Sequence, residues 1–237
     1  MNGNSDSAKM TIPSLVIFDC DGVLVDSEPI SIAVLLEMIG KSGVSMTEDE
    51  AYDRFLGRSM ATISKVLHED YGFAASEADL EEMRKNLYGR FELDLKPIPG
   101  IADALRRIDV PRCVASSSQP ERIRLSLTLT GLIDLLDPHI FSATMVKNGK
   151  PAPDLFLFAA KTMNVDPREC VVIEDSPAGI AAAKSAGMRV FAFTGGTHSR
   201  GGRLEETLAS LGPDCIFADM LELPDLLTQQ KAKLKVP

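Results

Sequence analysis

The sequence predicts an α/β fold: a parallel sheet with helices on both sides, interrupted by a helical insertion. Six short β-rich runs recur at 15–18, 113–115, 139–142, 170–173, 190–193 and 215–217. Most are continuous apolar runs without strict alternation, the pattern of strands buried on both faces of a parallel sheet. Helical stretches at 101–108, 121–129, 155–163 and 178–186 alternate with the later runs, as layering of helices on a sheet requires. Residues 30–97 break that rhythm, with helical patterns and no convincing strand between the first run and the second.

Taken in order, Met1 to Met10 is polar, with no apolar core of a signal peptide, and residues 1–13 are expected to be a disordered lead-in. The first strand, 15–18, runs straight into Asp19-Cys20-Asp21-Gly22. In the insertion, Thr47 is followed three residues later by Glu50 and Ser76 by Asp79, a spacing at which each pair caps a helix reciprocally. Pro97, Pro99 and Gly100 mark the return to the sheet. The second strand ends on Ser116-Ser117-Ser118. Ser118 and Glu121 make a further capping pattern with Pro120 in the first helical turn, so Ser118 is read as structural. The glycine-rich stretch 195–202 is expected to be a flexible surface connection. No internal repeat or low-complexity run is found.

With 237 residues and 45% hydrophobic content, the chain is long enough for a core that needs no disulfide or structural metal. Its four cysteines are widely spaced without metal-ligand pairing and read as reduced thiols of a cytoplasmic protein. The net charge of −9 argues against nucleic acid or an anionic membrane as partner, since both are met by clustered Lys and Arg. No apolar run approaches membrane-spanning length. An anionic small substrate must therefore be drawn by local groups. The stretch 41–95 holds twelve acids against seven Lys and Arg, a balance more typical of a solvated helical surface than of an anion trap.

Asp19 and Asp21 stand two residues apart at the carboxyl end of a buried strand, the edge at which ligands bind in open α/β sheets. Capping of a turn is the simpler role, but two acids there repel each other unless a positive group stands between them. Gly149-Lys150-Pro151-Ala152-Pro153-Asp154 presents a lysine before two prolines that fix the chain, and Asp154 suits the first turn of the next helix. Glu174 and Asp175 are adjacent acids at another strand end, followed by Ser176-Pro177, a helix start.

The run from Asp19 to Glu28 resembles the nucleophile motif of the haloacid dehalogenase superfamily, in the version of its sugar-phosphatase and β-phosphoglucomutase-like branch. The other three motifs follow in that family's order, and the resemblance covers the chain from Ser14 onward. It implies a Rossmann-like catalytic core of residues 14–29 and 98–237 with a helical cap domain at 30–97. It also implies a magnesium-dependent phosphatase acting on a small phosphorylated metabolite, a sugar or sugar-acid phosphate, through an aspartyl-phosphate. Asp19 would be the nucleophile, Asp21 the acid and base, and Lys150 the neutralising cation, with Ser116 and Ser117 on the phosphoryl oxygens. Mg2+ would be held by Asp19, the main-chain carbonyl of Asp21, Asp175 directly and Glu174 through water. Phe55-Leu56-Gly57-Arg58-Ser59 matches the cap loop that points into the site. Gly57 and Arg58 are thus substrate-contact candidates, Arg58 with a solvated surface role as its alternative. Glu28 stands between substrate contact and pairing within the cap.

Two departures separate the chain from β-phosphoglucomutases: residues 27–32 contain no histidine, and Leu56 rather than lysine precedes Gly57. Both favour hydrolysis over phosphosugar mutase activity. Asp21 argues against dehalogenation, and a non-catalytic phosphometabolite-binding protein has no need of it. His68, His139 and His198 show no ligand spacing and read as surface or packing residues.

Overall fold

The computed structural model describes residues 12–199 and 203–228. The expected lead-in falls almost wholly outside them, as do residues 200–202 of the glycine-rich stretch. Six strands, β1 (Leu15–Phe18), β2 (Arg112–Ser116), β3 (Ile140–Ser142), β4 (Cys170–Glu174), β5 (Arg189–Phe193) and β6 (Cys215–Phe217), form one sheet in the order β3-β2-β1-β4-β5-β6. Every pairing is parallel, with Phe18 in register with Ile173 and Ser116 with Ser142. The order reverses beside β1, so the loops after β1 and β4 leave the sheet at its switch point, where doubly wound folds bind ligands.

The continuous apolar runs have a direct physical cause. Val16, Phe18, Val114, Val171, Ile173, Phe191 and Phe193 face one core cluster. Their neighbours Leu15, Ile17, Cys113, Ala115, Val172, Val190 and Ala192 face a second. Both faces are covered, so neither alternate position tolerates a polar residue. The four cysteines are unpaired, three of them buried. No helix of the described residues is long and apolar enough to cross a membrane.

Between β1 and β2 stand α1 (Glu28–Lys41), α2 (Glu48–Phe55), α3 (Met60–Tyr71), α4 (Glu77–Asp94) and, against the sheet, α5 (Ile101–Arg107). Ile32, Leu35, Ile39, Ala51, Phe55 and Leu67 close a cluster of their own among α1, α2 and α3. Val34, Leu87 and Phe91 lock α1 to α4. The chain then adds α6 (Pro120–Leu129), α7 (Ile133–Leu136), α8 (Asp154–Thr162), α9 (Pro177–Ser185), α10 (Arg203–Ser210) and α11 (Leu223–Thr228).

Both capping boxes of the insertion form. Thr47 Oγ1 accepts from the Glu50 amide at 3.2 Å while Glu50 accepts from the Thr47 amide at 2.8 Å. Ser76 and Asp79 repeat the arrangement. Ser118 does not cap α6, contrary to the sequence reading: Pro120 takes the first turn, Gln119 becomes the N-cap, and no side chain caps that helix. The described part of the glycine-rich stretch is anchored, not loose, since Thr197 gives Asp26 both its amide, at 3.2 Å, and its hydroxyl, at 2.7 Å.

Replacing Thr47 or Ser76 by Ala should cost about 1 kcal/mol of stability each, the usual worth of such a cap. The two losses should add in the double variant, because the caps serve separate helices. Urea denaturation followed by circular dichroism measures this, and an unchanged midpoint in both single variants would contradict it.

Candidate active site

The carboxyl ends of β1, β2 and β4 bring the acidic and hydroxylic residues of the four motifs together. Lys150, carried by the proline-flanked loop before α8, lies fully buried between two carboxylates. Its Nζ donates to Asp19 Oδ1 at 2.6 Å and to Glu174 Oε1 at 2.5 Å. The ammonium also stands 4.9 Å from the centroid of the Phe156 ring. Burial disfavours its charge, but Asp19 and Glu174 more than offset that and raise its pKa above the ordinary lysine value. Burial pushes the Asp19 carboxyl well upward against the pull of Lys150, with Glu174, Asp175 and Asp21 adding repulsion.

Glu174, expected to reach a metal through water, has protein donors on both carboxylate oxygens. Its Oε2 accepts from the amides of Asp175 and Ser176, both at 2.9 Å, and from Ser176 Oγ at 2.8 Å. Its other oxygen faces Lys150, so the residue ties the lysine to the start of α9. Ser176 caps that helix through the Gly179 amide. Gly179 is required there, because a Cβ at that position would sit 1.8 Å from Glu174 Oε1.

Asp175 points the other way. Its Oδ2 is buried without a hydrogen-bond partner; His198 Nε2 lies 3.0 Å off but is not aligned to donate. Burial first, then Glu174, raises the Asp175 carboxyl well above its usual range. His198 is not a surface residue: its side chain is wholly buried, stacks on Tyr52 with centroids 6.2 Å apart, and is held toward the neutral form by burial.

Asp21 is caged by donors. Ser27 Oγ reaches Oδ1 at 2.6 Å, Ser118 Oγ reaches Oδ2 at 2.6 Å, and Arg122 Nη2 reaches Oδ1 at 2.7 Å. Burial opposes ionisation, but Arg122 and the two hydroxyls overcome it and hold the pKa below the usual aspartate value. Ser118 is therefore a site residue. Its capping pattern with Glu121 concealed this, whereas Pro120, which fixes the helix start one residue too late for Ser118 to cap, was the available signal. Arg122 was missed as well; lying in the first turn of α6, it also donates to Ser31 Oγ at 2.9 Å and packs 5.3 Å from the Phe91 ring centroid.

Asp19, Asp21, Glu28, Gly57, Arg58, Ser116 and Ser117 line one cavity of about 80 Å³, closed on the far side by α1, α3 and α4. Ser116 Oγ accepts from the Ser118 amide at 3.0 Å, and Ser117 Oγ donates to the Gly57 carbonyl at 3.0 Å. Gly57 has φ of +71°, and a Cβ there would meet Ser176 Oγ at 2.2 Å, so the loop between α2 and α3 lies directly on the sheet edge. Glu28 is buried beside this cavity at the start of α1.

Four carboxylates, Asp19, Asp21, Glu174 and Asp175, thus face two cations, Lys150 and Arg122. The crowding of these carboxylates and the orphaned Asp175 oxygen fit a hard divalent cation, which takes oxygen ligands. Among the described residues no three Asp, Glu, His or Cys side chains form a ready-made ligand cluster.

Comparison with known proteins agrees with this geometry. The haloacid dehalogenase-like hydrolase family model matches residues 13–187. The 6-phosphogluconate phosphatase of Escherichia coli is 31% identical over 186 residues, covering 78% of this chain and 84% of that protein. The phosphorylated carbohydrates phosphatase of Thermotoga maritima is 32% identical over 180 residues, covering 73% and 81%. A haloacid dehalogenase-like protein from Agrobacterium tumefaciens superposes with a TM-score of 0.74 at 37% identity, covering 90% of this chain and 97% of that one. With the parallel sheet, its strand order and the carboxylates at its edge, these matches establish that the chain belongs to the haloacid dehalogenase-like hydrolases.

Proposed function

We propose that this hydrolase releases inorganic phosphate from a small phosphorylated metabolite, a sugar or sugar-acid phosphate, through an aspartyl-phosphate on Asp19. The observation that carries the reading is the buried Lys150 ammonium bridging Asp19 and Glu174, with Asp21 at the same cavity. Lys150 occupies one oxygen of Asp19 and leaves the other to attack phosphorus. As the Asp19–phosphorus bond forms, the bond to the leaving oxygen breaks and Asp21 delivers a proton to it. Water then attacks phosphorus, Asp21 takes its proton, and the Asp19–phosphorus bond breaks to free phosphate. Ser116 and Ser117 contact the phosphoryl oxygens.

Arg122, Ser27 and Ser118 hold Asp21 ionised, the form that receives the proton of the attacking water. A dianionic phosphoryl group arriving beside it raises its pKa and so favours the donating form needed first. Asp19, the Asp21 carbonyl and Asp175 would hold Mg2+, which when bound neutralises charge on the phosphoryl oxygens. Residues 30–97 serve as a cap over a core of 14–29 and 98–237, excluding water during transfer; the seating of Gly57 against Ser117 and Ser176 supports this. Leu56 is buried and does not line the phosphoryl cavity, so the position offers no acid or base for returning phosphate to a sugar. The relatives named for phosphatase activity support hydrolysis too.

Asp19→Asn should lower Mg2+-dependent phosphate release from an aryl phosphate by at least ~10³-fold, the scale of losing a covalent nucleophile. Turnover above about one per cent of wild type would remove Asp19 from that role.

Burial, with repulsion from Asp21 and Asp175 and partial relief from His198 and Arg122, pushes Glu28 up to about 8. Below the unfolded glutamate value both states hold the proton and nothing is lost. Between there and the folded value only the unfolded chain releases it, so stability falls as pH rises. Glu28→Gln lacks this term and should gain on the order of 2–4 kcal/mol over wild type between acid pH and pH 8 in chelator. Denaturation midpoints against pH test this; parallel curves for the two proteins would refute it.

A further inference from the structure

The loop after β5 carries a buried polar side chain that the proposed chemistry leaves unused. Among the described residues neither ring nitrogen of His198 has a hydrogen-bond partner, and both are enclosed. An apolar side chain would fill the same space at less cost, since a buried donor left unpaired loses its hydration for nothing. The slot is nevertheless shaped for this ring. A Cβ on Gly196 would stand 2.5 Å from its Cε1, and one on Gly22 would stand 2.9 Å from the same atom. Tyr52 of α2 closes the slot from the insertion, its ring inclined at 28° to the imidazole. Thr197, the preceding residue, is pinned to Asp26 by its amide and its hydroxyl.

One group meets that ring at bonding distance. Nε2 lies 3.0 Å from Asp175 Oδ2, and Oδ2 is itself enclosed without a partner among the described residues. Two orphaned polar atoms thus face each other. Their separation is already that of a hydrogen bond. Only the ring's alignment falls short, and such bonds commonly tighten when a site is loaded. Glu174, the preceding residue, shows the contrast, because protein donors hold both of its oxygens. For Asp175 Oδ2 the group placed to do the same is His198. Direct ligation of the ion by the ring fits less well: Mg2+ takes oxygen ligands, and among the described residues no three ligand-type side chains converge there.

We infer that His198 is a positioning residue for Asp175: its Nε2–H donates to the enclosed Oδ2 and fixes the carboxylate in the orientation that takes the divalent cation, while Tyr52 steadies the ring from the insertion. A carboxylate has about four acceptor sites, so accepting this bond leaves others for the ion. Losing the hydrogen-bond partner of a metal-ligating group typically weakens metal affinity by about 10–100-fold. His198 touches neither ion nor phosphorus and acts only through Asp175. This rests on the Mg2+ reading proposed above and adds a residue to it.

The test is calorimetric titration of the metal-free full chain with Mg2+, comparing wild type with His198→Gln and His198→Met. The two replacements have nearly the same length and volume, but only Gln carries an N–H, so a packing role would treat them alike. His198→Met should weaken Mg2+ binding by about 10–100-fold, whereas His198→Gln should stay within about threefold of wild type. A Met variant that binds as tightly as wild type, or a Gln variant as weak as Met, overturns the inference. A second measurement needs no change at position 198. The chain has three histidines, and His68 and His139 are exposed, so a His68→Gln/His139→Gln variant leaves His198 as the single imidazole. With Mg2+ present, its ring-nitrogen NMR shifts should show the proton on Nε2; a bare Nε2 overturns the inference even if neither His198 variant folds. If wild type takes up no Mg2+, or Asp175→Asn takes it up equally well, the metal reading falls and this inference with it. If Asp175→Asn loses Mg2+ and His198→Met does not, the role of His198 alone is overturned.

Discussion

Lys150 holds its ammonium, out of contact with water, between the carboxylates of Asp19 and Glu174. An isolated ammonium in that position would lose its proton, and an isolated pair of carboxylates would gain one. Set between the two carboxylates Lys150 keeps its charge, and breaking such a buried arrangement by removing one partner typically costs ~3–5 kcal/mol. Much of the site follows from keeping these three groups in place. β1 and β4 are adjacent and in register, which sets Asp19 beside Glu174 and Asp175. The amides at the start of α9 hold Glu174, and Gly179 leaves room for its carboxylate. The loop carrying Lys150 is flanked by prolines, so the ammonium is presented at little entropic cost.

A second buried cation links this centre to the helical insertion. Arg122 binds Asp21 from the core, donates to Ser31 of α1, and packs on Phe91 of α4. The guanidinium therefore reads the position of two insertion helices and the charge of Asp21 together. A shift of α1 or α4 away from α6 would loosen the contact that holds Asp21 below the usual aspartate pKa. Ser27, at the junction between β1 and α1, adds a further donor to the same carboxylate.

How much of this was legible depends on whether the cause is local. All six strands were visible because two covered faces demand unbroken apolar runs, and only their ends moved by a residue or so. The caps at Thr47 and Ser76 were visible because donor and acceptor lie three residues apart. Ser118 satisfied the same local pattern and was misread, since Asp21, its actual partner, lies 97 residues away. Arg122 pairs across 101 residues, and neither its helix position nor its charge distinguishes it from a solvated arginine. His198 likewise gave no spacing, because its burial is produced by Tyr52 and Asp175 from distant segments. The motif acids and Lys150 were legible as strand-end and loop residues, whereas the pairing of Glu174 with Lys150 and the unpartnered Asp175 oxygen required the fold.

Charge is sorted by depth. The floor of the site carries four carboxylates against Lys150 and Arg122, whereas an adjoining cleft shows cations and no acids among the described residues. A divalent cation held by Asp19 and Asp175 would reverse the sign of the floor for a dianionic phosphoryl group. The acidic character of the whole chain does not oppose this, because solvent screens charges beyond about 8–10 Å at physiological salt while the groups lining the two spaces act at contact.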